Sequence, residues 1–348
     1  MKKTIRLSHL LLFTFSLMST ATAQWQPQQS GTTADFRGLS AVSDKVVWAS
    51  GTKGTFVRTT DGGKTWEAGK VPDADNLDFR DVDAFDANTA YLLSIGNGDT
   101  SRIYKTTDGG KSWTLQFKNT DKQAFFDAMA FWDVNHGIAM SDPVNGKFVL
   151  LTTDDGGNTW KPISPDKIPA AIQGEGGFAA SGTCIAVQGK SNAWFASGGG
   201  SKARVYRSTD RGQTWAVADT PMIAGSAAAG IFSIAFQDAK RGIIVGGDYQ
   251  KPNAGDKTVA ITNDGGKTWA LAANAPGYRS GVAYAKGKRG TIIIAVGTSG
   301  SDMTTTNGAT WVSLDKENYN SVSTTKNGID IWAVGPKGRL AKFTKPAP

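Results

Sequence analysis

The sequence predicts an all-β fold: a seven-bladed β-propeller of four-stranded antiparallel blades with Asp-box turns, closed by the N-terminal strand. Three observations carry this. An eight-residue box ending in tryptophan recurs six times, an aromatic-led strand start recurs seven times, and the two chain ends carry complementary parts of one unit. A period of roughly 40–55 residues marks stacked or radially arranged copies of one supersecondary unit.

The boxes read Thr59-Thr-Asp-Gly-Gly-Lys-Thr-Trp66, Thr106-Thr-Asp-Gly-Gly-Lys-Ser-Trp113 and Thr153-Asp-Asp-Gly-Gly-Asn-Thr-Trp160, then Ser208-Thr-Asp-Arg-Gly-Gln-Thr-Trp215 and Thr262-Asn-Asp-Gly-Gly-Lys-Thr-Trp269. A worn copy, Thr304-Thr-Thr-Asn-Gly-Ala-Thr-Trp311, has Thr306 in place of the Asp. Before each box lies an aromatic-led segment and then a Gly-punctuated apolar strand. In the first unit these are Phe36-Arg-Gly-Leu-Ser-Ala41, Val46-Val-Trp-Ala-Ser50 and Thr55-Phe-Val-Arg-Thr59. Short alternating runs rich in β-branched and aromatic residues read as antiparallel strands. Comparable starts at Phe79, Phe125, Phe178, Phe232, Tyr278 and Tyr319 bring the blades to seven.

The ends explain closure. The last unit has Ser321-Val-Ser323, Ile331-Trp-Ala-Val334 and Leu340-Ala-Lys-Phe343, with no box or outer strand after them. Trp25-Gln-Pro-Gln-Gln29 resembles the strand that follows each box and is expected to complete the seventh blade, removing an exposed edge. Ahead of it, Lys2, Lys3 and Arg6, the apolar run Leu10 to Met18 and the small residues Ala21-Thr-Ala23 read as a signal peptide. The expected organisation is therefore a leader over 1–23 and one propeller over 24–348. Its destination is the periplasm or the extracellular medium.

Composition narrows the function. Removing Lys2, Lys3 and Arg6 takes the formal charge from +8 to +5, and the excess is dispersed. Without a basic run or an RNA-binding signature, nucleic acid is not an expected partner. The single cysteine, Cys184, lies in an apolar stretch, so it reads as a small buried hydrophobe and no internal disulfide forms. No dinucleotide fingerprint follows a strand and opens a helix, so no cofactor is expected.

The boxes themselves read as scaffolding. Asp61, Asp108, Asp155, Asp210 and Asp264 can accept backbone N–H bonds within their turns. Trp66, Trp113, Trp160, Trp215 and Trp269 supply apolar plates between blades. A Ca²⁺ ring would need more carboxylates than one per box, so no metal site is expected.

In a meander blade, the loop into the inner strand and the loop between strands two and three open on one face. That face collects Arg37, Arg80, Asp127, Glu175, Tyr278, Arg279 and Asn320, with Asp99, Asp142, Asp248 and Asp302 from the second class of loop. Two readings of these charges stand: blade-to-blade ion pairs such as Arg37 with Asp81, or a site whose Arg forks match carboxylate or phosphate. His136, the only histidine beyond the leader, reads as a turn residue, not a base or ligand.

The box resembles the Asp box of the sialidase-like (BNR) propeller superfamily, whose pattern is Ser/Thr-x-Asp-x-Gly-x-Thr-Trp. Resemblance to the sialidases implies a glycan-active hydrolase. Arg37, Arg80 and Arg279 would then imitate its arginine triad, Tyr278 or Glu175 its nucleophile pair, and Asp142 its acid. Over the whole mature chain, Phe36-Arg-Gly-Leu-Ser-Ala41, the boxes and Trp332-Ala-Val-Gly-Pro-Lys-Gly338 resemble the photosystem II stability/assembly factor family. That resemblance implies a seven-bladed chaperone that binds membrane-protein intermediates without catalysis. The photosynthetic members carry an arginine-rich patch near their middle blades, whereas Ala170 to Cys184 here holds no Arg, which points to a non-photosynthetic relative.

The sequence reading is thus an exported, monomeric binding or assembly scaffold with no catalytic residue assigned. Its binding face is expected around Arg37, Arg80, Asp127, Asp142, Glu175, Asp248, Tyr278 and Arg279. A membrane or envelope protein is the expected partner and an anionic glycan the other candidate. The glycan hydrolase is the alternative function.

Overall fold

Strand pairing in the computed structural model, which describes residues 24–287 and 290–344, forms seven separate four-stranded antiparallel sheets. The expected leader over 1–23 lies outside the described residues. Blade 1 comprises Phe36–Ala41, Val47–Gly51, Thr55–Thr59 and Glu67–Lys70, running from the axis outward. The inner strands of blades 2 to 6 are Phe79–Ala84, Phe126–Phe131, Ile185–Gln188, Ala229–Phe236 and Gly281–Gly287. Blade 7 is built from Ser321–Thr324, Ile331–Val334 and Leu340–Thr344, and its outermost strand is Gln24–Pro27.

The closing strand pairs Trp25 with Phe343 and Pro27 with Ala341. Trp25 also packs on Tyr319 at 5.3 Å, and its indole N–H donates to Ser301 Oγ of blade 6 at 2.9 Å. The first described residues therefore join the last strand and brace the neighbouring blade. A ring closed in this way hides the edge that an open sheet would expose.

Between blades, the apolar side chains form one buried cluster at each of the seven junctions. Box tryptophans contribute to these junctions by lying against the preceding blade. Trp66 meets Trp332 of blade 7 at 5.6 Å, and Trp113 meets Phe56 of blade 1 at 5.1 Å. Such edge-on aromatic contacts add about 0.5–1.5 kcal/mol each beyond the area they bury.

Each intact box closes one hydrogen-bond circuit. In the first, Thr59 Oγ1 donates to Asp61 Oδ1 at 2.8 Å and accepts the Gly63 N–H at 2.9 Å. Asp61 in turn accepts the Thr65 N–H at 2.9 Å and the Thr65 hydroxyl at 2.6 Å. These donors hold the carboxyl of Asp61 down at about 2, and those of Asp108, Asp155 and Asp264 likewise at about 2. In the worn box a hydroxyl takes over: Thr306 Oγ1 accepts the Thr310 N–H at 2.9 Å and Thr304 Oγ1 accepts the Gly308 N–H at 3.2 Å. The turn survives without the charge.

The second glycine of the box answers two demands at once. Gly63 has φ +89°, and a Cβ there would overlap the Trp332 ring. Gly63→Ala is expected to cost about 2–4 kcal/mol, from strain plus overpacking. Gly146→Ala, at φ +76° with nothing nearby, isolates the backbone term at about 1–2 kcal/mol. Equilibrium urea unfolding checks the difference.

Thr306→Asp should restore the missing carboxylate. A carboxyl held below its unfolded value of about 3.9 stabilises above that pH, and the contribution is lost as pH falls to about 2. The variant should therefore melt higher than wild type at pH 7, with the gain gone at pH 2 in thermal unfolding.

Candidate functional site

A β-bulge interrupts the inner strand in four blades. The register slips between Phe36 and Gly38, Phe79 and Asp81, Phe126 and Ala128, and Ile231 and Ser233. The unpaired residues are Arg37, Arg80, Asp127 and Phe232. An extra residue breaks the two-residue alternation and re-aims its side chain. Arg37, Arg80 and Phe232 consequently meet at one mouth of the propeller, together with Tyr278 from the loop before blade 6.

Sequence alternation places the fourth inner strand at Phe178, and the structure corrects this. That strand is Ile185–Gln188, and the residues before it cross the axis. Arg37 Nη1 donates to Ala180 O and Arg80 Nη1 to Ala179 O, both at 3.0 Å. Ser181 Oγ donates to Ser280 O of blade 6 at 2.7 Å, while Ser321 Oγ of blade 7 donates to Ser181 O at 3.2 Å. Thr183 and Ser233 of blade 5 share a hydroxyl contact at 2.6 Å. One segment is thus tied to blades on every side of the axis.

Above this floor lies a cavity of about 330 Å³. Phe178 stacks on Phe232 at 3.8 Å, and Tyr278 stands edge-on to Phe232 at 4.8 Å. Tyr249 is 48% exposed at the rim, in the chain segment that follows Asp248. Arg80 is paired with Asp78 at 2.7 Å. Arg37 forms no ion pair among the described residues, and burial, helped by the neighbouring Arg80 charge, lowers its pKa.

The remaining expected residues stand apart from this cavity. Asp142 accepts the Gly177 N–H at 2.7 Å, and burial raises its carboxyl to about 6. Asp127 is almost wholly buried, with no partner for Oδ2 among the described residues, and burial and the nearby Asp142 raise its pKa well above the usual range. Glu175 is enclosed by Arg204, whose Nε donates to Oε1 at 3.0 Å, and by the Ile172 N–H at 2.8 Å. Arg279 is buried against Asp302, Nε to Oδ2 at 2.7 Å, and also donates to Ser299 Oγ at 3.0 Å. Asp248 accepts the Gln250 N–H at 2.9 Å within its own loop.

The suggested Arg37–Asp81 pair does not form. Asp81 is buried and accepts the Met129 N–H of blade 3 at 2.7 Å, while Arg37 reaches the crossing segment. His136 sits in its turn with Nδ1 2.8 Å from Asp133 Oδ1. Sequence reasoning missed Arg204 as the counter-ion of Glu175; the two are 29 positions apart, and no motif links them.

With side-chain exposures of 9% for Arg204 and 0% for Glu175, the pair is braced against water. Arg204→Met would strand a buried carboxylate and is expected to cost about 3–5 kcal/mol in denaturant unfolding. Replacing both partners by Met and Gln should recover part of that loss.

Comparison with known proteins agrees with this architecture. Residues 17–119 match the sequence model of photosynthesis system II assembly factor YCF48. No curated protein matches the sequence. The solved structure of YCF48 bound to D1 peptide superposes with a TM-score of 0.65 at 16% identity, covering 94% of this chain and 100% of that one. YCF48 from Cyanidioschyzon merolae gives 0.64 at 17% identity, with 92% and 99% covered. The WD40 β-propeller domain of Doa1 gives 0.62 at 13% identity, with 93% and 97% covered, so superposition at this level of identity speaks for the fold alone. The shared ring makes the fold a seven-bladed β-propeller, and over residues 17–119 the sequence is similar to the YCF48 family.

Proposed function

We propose that this protein is a non-catalytic scaffold that holds another protein against its mouth face, around Arg37, Arg80 and Tyr249. The observation that carries the reading is the state of the carboxylates there. Glu175 and Asp302 are committed to buried arginines, and Asp142 holds the crossing segment. At the opening, exposed Tyr249 stands beside the part-buried Arg37 and Arg80, an aromatic and cationic combination suited to protein contact. The similar YCF48 propeller bound to D1 peptide supports a polypeptide partner.

We read residues 1–23 as an export leader and the partner as a membrane or envelope protein, with the scaffold acting as a monomer. No helix among the described residues is long and apolar enough to cross a membrane. The second reading, a glycan hydrolase, draws on one feature: Asp142, raised to about 6, lies beside a cavity of about 440 Å³. Its proposed companions count against it. Glu175 is locked by Arg204, and Tyr278 is 4% exposed within an aromatic cluster.

Crosslinking and affinity capture from the native envelope test the proposal. Wild type is expected to capture one defined protein, while Tyr249→Ala and the Arg37→Ala/Arg80→Ala double variant lose it. Equal capture by all three would remove the mouth from the account. Glycoside hydrolysis by wild type that disappears in Asp142→Asn would establish the hydrolase instead.

A further inference from the structure

The axial cavity has a blind end. Its floor is the crossing segment, tied down at Ala179, Ala180 and Ser181, so whatever enters from the mouth stops there. At about 330 Å³ it lies near the lower limit for small-molecule pockets, roughly 300–1,000 Å³. It can take one compact group, not a folded element.

The charge within it is unbalanced. Arg37 and Arg80 both line the cavity, and among the described residues Asp78 is the one carboxylate paired with either. Arg37 is held by a single neutral acceptor, the carbonyl of Ala180, and its other N–H groups have no protein partner among the described residues. Arg37 is part-buried and no carboxylate among the described residues contacts its guanidinium, so an anion arriving there would be favoured. A planar guanidinium fork fits a carboxylate better than it fits a point charge.

The walls specify the rest of the ligand. Phe178, Phe232 and Tyr278 form a buried aromatic cluster with Ala180, and Tyr249 stands over the opening. We propose that this cavity binds a compact organic carboxylate, its acid group on Arg37 and its apolar or aromatic body between these rings. The inference is independent of the scaffold reading, since the site would function whether or not a protein docks on the rim. Two sources share the chemistry: a free small acid, and the terminal carboxylate of a polypeptide ending in an apolar residue.

Calorimetric titration of the mature chain tests it with 3-phenylpropionate, the corresponding amide, and a short peptide ending in Phe with a free or an amidated terminus. The acid or the free-ended peptide is expected to bind with a Kd of about 1 mM or tighter, with the matching amide at least about tenfold weaker. Binding of the acid alone assigns a small metabolite, and binding of the free-ended peptide alone assigns a chain terminus. Thr298→Trp, at an exposed position lining the cavity, should abolish binding without moving the unfolding midpoint. Arg37→Lys should retain more affinity than Arg37→Met. Equal binding of acid and amide, no binding of either carboxylate at 10 mM (on the order of ten times the expected Kd), or full binding by Thr298→Trp would overturn the proposal.

Discussion

A ring of blades leaves seven inner strands whose free edges face the axis, and their unpaired backbone groups must be satisfied there. Side chains from the adjoining blade do this. Ser323 accepts the Ala41 N–H at 3.1 Å, Ser40 the Ala84 N–H at 3.1 Å, and Ser233 the Val282 N–H at 3.0 Å. Between blades 2 and 3 the same task falls to carboxylates, Asp81 on Met129 and Asp83 on Phe131. Their burial has a visible cost, raising Asp83 to about 6 and Asp81 well above the carboxylate range. Short polar residues at these positions of the inner strands are thus part of what holds the ring together.

Blade 4 meets the same constraint differently. Its inner strand has only four residues, and the chain before it fills the axis instead of lining it. Thr183 supplies a carbonyl to the Ile234 N–H at 2.9 Å, and Ala179 and Ala180 supply carbonyls to two bulge arginines. The central channel becomes a cavity with a floor, and that floor turns a structural solution into a potential binding site. Glycine is needed along this path: Gly177 passes so close to Asp127 and Gly182 so close to Asp81 that a Cβ on either would collide.

Much of this was legible in the sequence because it repeats. The boxes, the seven aromatic starts and the complementary ends define blade count and closure, and each reflects a local hydrogen-bond circuit or a packing position common to all blades. The candidate site was legible in part: Arg37, Arg80 and Tyr278 share one mouth, as their places at strand starts imply. The rest depends on departures from the repeat. Phe178 looks like any other strand start, and only the tertiary ties of residues 179–183 reveal that it begins a crossing. The specific counter-ions of Glu175 and Arg279 were not legible because Arg204 and Asp302 sit 29 and 23 residues further along the chain. Pairing at that distance has no periodic signature.

The crossing segment is a fixed floor held by Arg37, Arg80 and Asp142. Hydrogen–deuterium exchange of the backbone amides over residues 176–183 tests it most directly. The amides of Gly176, Gly177 and Ala180, which donate to Gly198 O, Asp142 and Phe178 O, are expected to be protected like those of the blade strands and to exchange faster in Arg37→Ala/Arg80→Ala. Exchange as fast as that of the exposed box turns in wild type would contradict it, leaving an open channel where the structure has a floor.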